Sequence, residues 1–180
     1  MKTNRIGFGY DVHPLKRGAR FVLGGVLIDH NKGAAGHSDA DVLIHALVDA
    51  LLGASGQRDI GHQFPDTDPE WKGADSQILL KKTMQLIRDA GYDLVNMDAT
   101  ICLEEPKIAA YTPNMLDFLS GVMGVDSSRL SIKAKTAERL GFIGAGEGVS
   151  AYVVVLLEER GRLERLRDRR DEGTGEREKR

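Results

Sequence analysis

Residues 39–54, DADVLIHALVDALLGA, place Val42, Leu43, Ala46, Leu47, Ala50 and Leu51 on one stripe at helical spacing. Ser38 and Asp41 stand before the stripe with capping-box-like spacing, so the stretch predicts a helix that begins near Asp39 and buries one face. Two β-like stretches come first, Arg5–Tyr10 and Phe21–Ile28. They predict an N-terminal strand pair, with a bend or bulge at Gly24-Gly25. Downstream, Leu79, Leu80, Thr83, Leu86, Ile87 and Ala90 predict a second helix that starts at Asp75 or Ser76 and stops at a left-handed Gly91. Val95, Met97, Ala99, Ile101 and Leu103 then alternate with Asn96, Asp98, Thr100 and Cys102, and Leu130, Ile132 and Ala134 repeat the pattern. Between these strands a third helix opens at Pro113 or nearer Lys107 and ends by Gly121 or Gly124. A last strand, Val149–Leu157, is apolar on both faces. This order predicts an α/β (α+β) sandwich in one domain, a mixed β-sheet with helices on one face.

The 180 residues, 41% of them apolar, suffice for one core, expected over residues 1–158. Residues 159–180 interleave acidic and basic side chains with almost nothing apolar, and predict a solvated charged tail that frays into disorder, to which the sequence assigns no function. A net charge of −2 supplies no general basic field, so nucleic acid is not expected and an anion must be met by a local site. The single cysteine, Cys102, cannot close an intramolecular disulfide, and the opening residues lack the apolar run of a signal peptide or membrane span. A bacterial cytoplasm is the expected setting, with no membrane partner.

The candidate chemistry starts at Asp11-Val12-His13, where the two polar side chains project from one side of an extended segment that reaches Pro14. His45 lies inside the first helix, with Asp41 and Asp49 one turn before and after it. Two buried-side carboxylates beside an imidazole are costly without a positive or donor group. A metal held by Asp11, His13 and His45 would explain them, with Asp49 orienting His45 from behind; a satisfied core histidine remains open on spacing alone. Gly36-His37-Ser38-Asp39 presents backbone amides at a helix start, suited to phosphate. The stretch Arg58–Asp68 is long and carboxylate-rich, which suits sugar hydroxyls. Lys133–Glu138 leads into the glycine-rich 141–148, where a ligand can approach backbone. His30, His62 and Cys102 have no partner constellation.

The ordered set Gly-Tyr-Asp-Val-His (9–13), His-Ser-Asp-Ala-Asp (37–41), His45, Asp-Ile-Gly (59–61), Phe-Pro-Asp-Thr-Asp (64–68), Lys-Gly-Ala-Asp-Ser (72–76), Pro-Lys (106–107) and Lys-Thr-Ala-Glu (135–138) closely resembles 2-C-methyl-D-erythritol 2,4-cyclodiphosphate synthases over residues 5–157. The resemblance implies a homotrimer with active sites between subunits, in the methylerythritol phosphate route to isoprenoids. It implies Asp11, His13 and His45 as zinc ligands and Glu138 as the holder of magnesium or manganese. It implies that 4-diphosphocytidyl-2-C-methyl-D-erythritol 2-phosphate is cyclised with loss of CMP, a lyase reaction in which the substrate's 2-phosphate is the nucleophile. His37 and Thr136 would stabilise the reacting phosphates. The methylerythritol phosphate would meet Asp11, Val12, His13, His37, Ser38, Asp59, Ile60, Gly61, Phe64, Pro65, Asp66, Thr67 and Asp68. The cytidine nucleotide would meet Leu103, Glu104, Glu105, Pro106, Lys107, Ile108 and Ala109 with Ala134, Lys135, Thr136, Ala137 and Glu138, and Phe142 and Ala145 would complete the ligand contacts.

Two departures stand against the family pattern. Ala145 replaces a basic residue that helps hold an anion near the trimer axis, so an isoprenoid diphosphate is not expected there. Lys135 and Ala137 replace hydroxyl side chains. Two other readings compete: a zinc-dependent phosphate-ester hydrolase with the same ligands, and a trimeric metal- and nucleotide-binding regulator without turnover.

Overall fold

The structure, a computed structural model, describes residues 3–36, 39–65, 67–71 and 73–161. Its main sheet has five strands in the order β4-β1-β7-β5-β6: β1 (Asn4–Arg17), β4 (Lys32–Ala34), β5 (Tyr92–Cys102), β6 (Leu130–Lys135) and β7 (Gly148–Glu159). Only β5 and β6 run parallel, joined through helix α4 (Thr112–Met123), and the other neighbours are antiparallel. Helices α1 (Val42–Ser55) and α3 (Ser76–Asp89) lie with α4 over one face, and short α2 (Ile60–Gln63) and α5 (Gly141–Gly144) sit in the loops. The sandwich expected from the sequence is therefore present, with helices on a single face. Among the described residues no helix is long and apolar enough to cross a membrane.

The N-terminal strand pair is corrected. β1 pairs with β4 and β7, while Phe21–Ile28 folds on itself as the hairpin β2 (Val22–Leu23) and β3 (Val26–Leu27). Gly24 and Gly25, at φ 58° and 76°, form its two-residue turn, because consecutive positive φ values suit glycine and match the twist of a tight hairpin. β1 also runs through Pro14 to Arg17 rather than ending there.

α1 is buried almost all round, since Ile44, Val48, Leu52 and Ala54 are covered as well as the predicted stripe. The sheet takes one side of it, and α3 and the hairpin take others. Asp75 caps α3, which ends at Asp89, and Gly91 follows at φ 88°. A 3₁₀ turn, Ala109–Tyr111, precedes α4, and Gly124 closes α4 with φ 66°. β7 buries Val149, Ala151, Val153, Val155 and Leu157 under the helices. Its other face, with β1, is open and apolar: Ile6 is 75% exposed and Phe8 61%, and Tyr10, Val12, Tyr152 and Val154 lie beside them. Residues 162–180, most of the expected tail, lie outside the described residues. Arg160, which precedes them, pairs with Asp93 at 3.0 Å.

Candidate active site and metal centre

The site is built by how closely α1 approaches β1. A Cβ added to Gly7 would lie 1.9 Å from the carbonyl oxygen of Ala50, and one added to Gly9 would lie 1.9 Å from that of Ala46. Only glycine lets the helix backbone rest on the strand in this way. Two strand residues advance about 6.6 Å and one helical turn about 5.4 Å, so successive inward positions of β1 meet successive turns of α1. After Gly7 and Gly9 the next inward positions are Asp11 and His13, and the turn they meet carries His45.

Asp11 Oδ2 lies 3.0 Å from His13 Nε2 and 3.1 Å from His45 Nδ1, and the two ring nitrogens are 3.2 Å apart. A tetrahedral ion with bonds of 2.0 to 2.1 Å sets its donor atoms about 3.3 Å apart, so these three atoms mark one face of such a tetrahedron. The rings meet edge-on, 5.3 Å between centroids at 79°. Among the described residues this is the group of histidine, cysteine or acidic side chains placed to hold a metal. A divalent cation fits it, with a fourth position left for another ligand. Burial pushes the Asp11 carboxyl up, but hydrogen bonds from His13 and His45 outweigh this and hold it at about 2. Burial pushes the His45 imidazole down, and the bond to Asp11 and its charge reverse this to a net rise. Each is held in its charged form by the other.

The two carboxylates that flank His45 have other work. Asp41 is fully buried, yet it accepts from the backbone N–H groups of Gly24, Gly25, Leu43 and Ile44 at 2.7 to 3.1 Å. Four donors offset the cost that the sequence reading assigned to a metal, and they clamp the β2–β3 hairpin to the start of α1. Burial still leaves its pKa raised. Asp49, expected behind His45, accepts from the Ile60 N–H at 2.7 Å and so positions α2; His45 acts on it as a nearby charge. The Nε2 atom of His45 faces Ser76 Oγ at 3.0 Å.

Other expected site residues divide between two places. Asp59 caps α2 through the His62 N–H at 2.9 Å, leaving Ile60 and Gly61 at the helix start. Phe64 is buried with its ring 5.1 Å from that of Trp71, so its side chain serves the core. Asp68 is occupied by the Glu70 N–H at 2.9 Å, with Pro65 and Thr67 beside it in the same turn. His37, Ser38 and Asp66 lie outside the described residues.

At the other end, Leu103 and Ile108 are buried, and the Ala137 N–H donates to Glu104 at 3.1 Å, tying the 103–109 loop to the 134–138 segment. Thr136 Oγ1 donates to Glu138 Oε1 at 2.7 Å. Glu138 and Arg139 take successive positive φ values of 51° and 63°, and Ala40 and Arg58 do so before the other loops. Non-glycine residues persist in this conformation only where the surrounding structure holds the backbone there. A cavity of about 610 Å³ adjoins these loops, lined by Glu104, Glu105, Lys107 and Ala145 together with Arg17, Lys32 and Arg139, none of which the sequence singles out. Lys32 Nζ donates to the Gly146 carbonyl at 2.7 Å beside Ala145.

The profile of the YgbB family matches residues 4–158. The chain belongs to the YgbB family. Members with this likeness include the 2-C-methyl-D-erythritol 2,4-cyclodiphosphate synthase of Bacteroides fragilis, 56% identical over 153 residues, which are 85% of this chain and 96% of that one. The synthase of Moorella thermoacetica is 54% identical over 156 residues, 87% and 96% of the two chains. A solved CDP-bound structure of 2C-methyl-D-erythritol-2,4-cyclodiphosphate synthase is similar at 41% identity and a TM-score of 0.80, over 85% of this chain and 99% of that one. The bifunctional IspDF of Campylobacter jejuni matches at 38% identity and a TM-score of 0.85, over 88% of this chain and 43% of its own.

Proposed function

We propose that this YgbB-family protein is a 2-C-methyl-D-erythritol 2,4-cyclodiphosphate synthase, a lyase that cyclises the cytidine-diphosphate-linked substrate and releases CMP in the methylerythritol phosphate route to isoprenoids. The Asp11–His13–His45 cluster carries the reading, because its geometry matches the metal centre expected from the family motifs. Zinc held there would act as a Lewis acid on a phosphate oxygen, and magnesium or manganese at Glu138 would neutralise diphosphate charge. Asp11, His13 and His45 would be the residues that hold that ion. Thr136 offers a hydroxyl, and in the sequence His37 and Ser38 shortly precede α1, whose first amides favour an anion. The 103–109 and 134–138 segments receive the cytidine, and the Asp59 loop the methylerythritol. No side chain is needed as nucleophile, because the substrate brings its own phosphate; holding it in line is the protein's contribution.

The sheet register supports an active site shared between copies. Asp11 pairs with Ala151, Ala151 with Ile101, and Ile101 with Ala134, so β1 and β6 are level but three strand spacings apart, about 14 Å. Phosphates of one diphosphate cannot bridge that distance. A neighbouring copy's Thr136 and Glu138 would complete the cluster of the first, and a homotrimer packed through the open apolar face of β1 and β7 brings them together. A cytoplasmic setting is the counterpart of this pathway. Incubation with the cytidine substrate tests the function: a cyclic diphosphate with one CMP per product supports it, whereas a linear product would assign a metal-dependent hydrolase.

A further inference from the structure

The Lys-Gly-Ala-Asp-Ser block at 72–76 has no role in the chemistry above, yet its last residue touches the metal centre. Ser76 is the first residue of α3, set there by the Asp75 cap, and it is fully buried. Its hydroxyl faces two groups, Asp39 Oδ1 and the Nε2 of His45, the latter at 3.0 Å. Asp39 also accepts the Ser76 backbone N–H at 3.1 Å and the Asp41 N–H at 3.3 Å, which holds its carboxylate against the starts of both helices.

A serine hydroxyl has one proton and an ionised carboxylate has none. The proton of Ser76 therefore goes to Asp39, since the reverse arrangement would set a hydroxyl lone pair against a carboxylate oxygen. Ser76 Oγ is then left only as an acceptor towards His45, so it takes the Nε2–H of the imidazole and leaves Nδ1 as the nitrogen that faces Asp11 and His13. Its other nitrogen, Nδ1, lies 3.1 Å from Asp11 and 3.2 Å from His13; it shares a proton with the Asp11 carboxylate in the metal-free protein and is the nitrogen that would turn its lone pair to a metal in that proton's place. Buried as it is, the hydroxyl has no water to turn to in place of these partners.

We infer that Ser76, held by Asp39, is a positioning residue that takes the Nε2–H of His45 and so aims the Nδ1 lone pair into the metal centre. This rests on the zinc reading proposed above. Partners of this kind fix the tautomer and orientation of a ligating histidine, and losing one costs about 10-fold to 100-fold in metal affinity. Asp49, the residue expected in this role, is engaged by Ile60.

The test has two arms on the full chain. In the zinc-bound protein, nitrogen NMR of His45 should show the metal on Nδ1 and a proton on Nε2; metal on Nε2, or no proton there, would overturn the inference and requires no variant. Zinc titration against a competing chelator should then show affinity about 10-fold weaker in Ser76→Ala and close to wild type in Ser76→Thr, which keeps the hydroxyl. A purely structural role in starting α3 would lower the melting temperature of zinc-free Ser76→Ala without moving its zinc affinity. Unchanged affinity in folded Ser76→Ala, or equal loss in both variants, would overturn the inference. Wild-type protein that takes up no zinc would instead sink the metal reading, a result distinct from a loss confined to Ser76→Ala.

Discussion

Replacing Gly9 by alanine tests whether the metal centre depends on α1 lying against β1. The new Cβ would stand 1.9 Å from the backbone oxygen of Ala46, about 1.5 Å short of ordinary van der Waals contact, and the obstacle is helix backbone rather than a side chain that can swing away. An alanine in an extended strand would otherwise gain about 0.5 to 1 kcal/mol over glycine. Overpacking costs about 1 to 3 kcal/mol, and a clash with backbone belongs at the upper end, so a net loss of about 2 kcal/mol is expected. In a chain of this size that lowers the melting temperature by about 4 to 8 °C. If α1 took up the whole displacement, the 3.1 Å separation of Asp11 and His45 would open to about 4.6 Å, which exceeds twice a zinc–nitrogen bond of about 2.05 Å. Zinc affinity should fall at least tenfold together with stability. Gly53→Ala, in the same helix with nothing within 4 Å of the new Cβ, should instead stabilise by about 0.5 to 1 kcal/mol and leave zinc alone. Thermal melts and chelator competition measure both effects; a Gly9→Ala protein with wild-type stability and zinc affinity would refute the close-approach account.

His45→Ala should lose most zinc and nearly all turnover while remaining folded, and full zinc occupancy by elemental analysis would contradict its role as a ligand. Glu138→Gln should keep its zinc but need more magnesium for product formation, and an unchanged magnesium dependence would show that Glu138 holds no second metal. If active sites are shared, mixing these two proteins under conditions of subunit exchange, at a magnesium level where Glu138→Gln alone forms little product, should raise activity above the sum of the two, because some mixed sites carry an intact half from each chain; no gain in mixed assemblies would place each site within one chain. In the metal-free protein, His45 has a raised pKa, so its contribution to stability is complete below about 6.5 and is lost as pH rises through the raised value. Asp11 is depressed to about 2, so its share is present above about 3.9 and lost only as pH falls through about 2. Zinc requires the neutral imidazole, so its affinity should climb over the same interval in which metal-free stability declines. Melting curves across pH with and without chelator measure both trends.

The sequence made α1 legible because its apolar spacing is strict, and Asp11 and His13 because alternate strand residues share a side. It underestimated how deeply α1 is buried: one stripe suffices to predict a helix, but the cover over Ile44, Val48 and Leu52 comes from α3 and the hairpin, elements distant in sequence. The pairing of β1 was misjudged for a related reason. Adjacent β-like stretches suggest pairing, whereas the length of β7 and its open partner edge decide it. Asp41 illustrates the limit most sharply. Its carboxylate beside His45 suggested a metal, yet its partners are backbone N–H groups from a hairpin turn, which carry no side-chain signature. Ser76 was visible as part of a motif, but its approach to His45 depends on how α3 packs on α1. The sequence showed a final strand apolar on both sides, but which of its faces stays open depends on the helices covering the other.

Zinc reconstitution with product analysis tests the central claim most directly. Protein stripped by chelator should form no product from the cytidine-linked substrate in the presence of magnesium, and activity should return in proportion to zinc bound, approaching one ion per Asp11–His13–His45 cluster, with phosphorus NMR showing the cyclic diphosphate and CMP in equal amounts. Full turnover without zinc, or a linear phosphate product with it, would contradict the account.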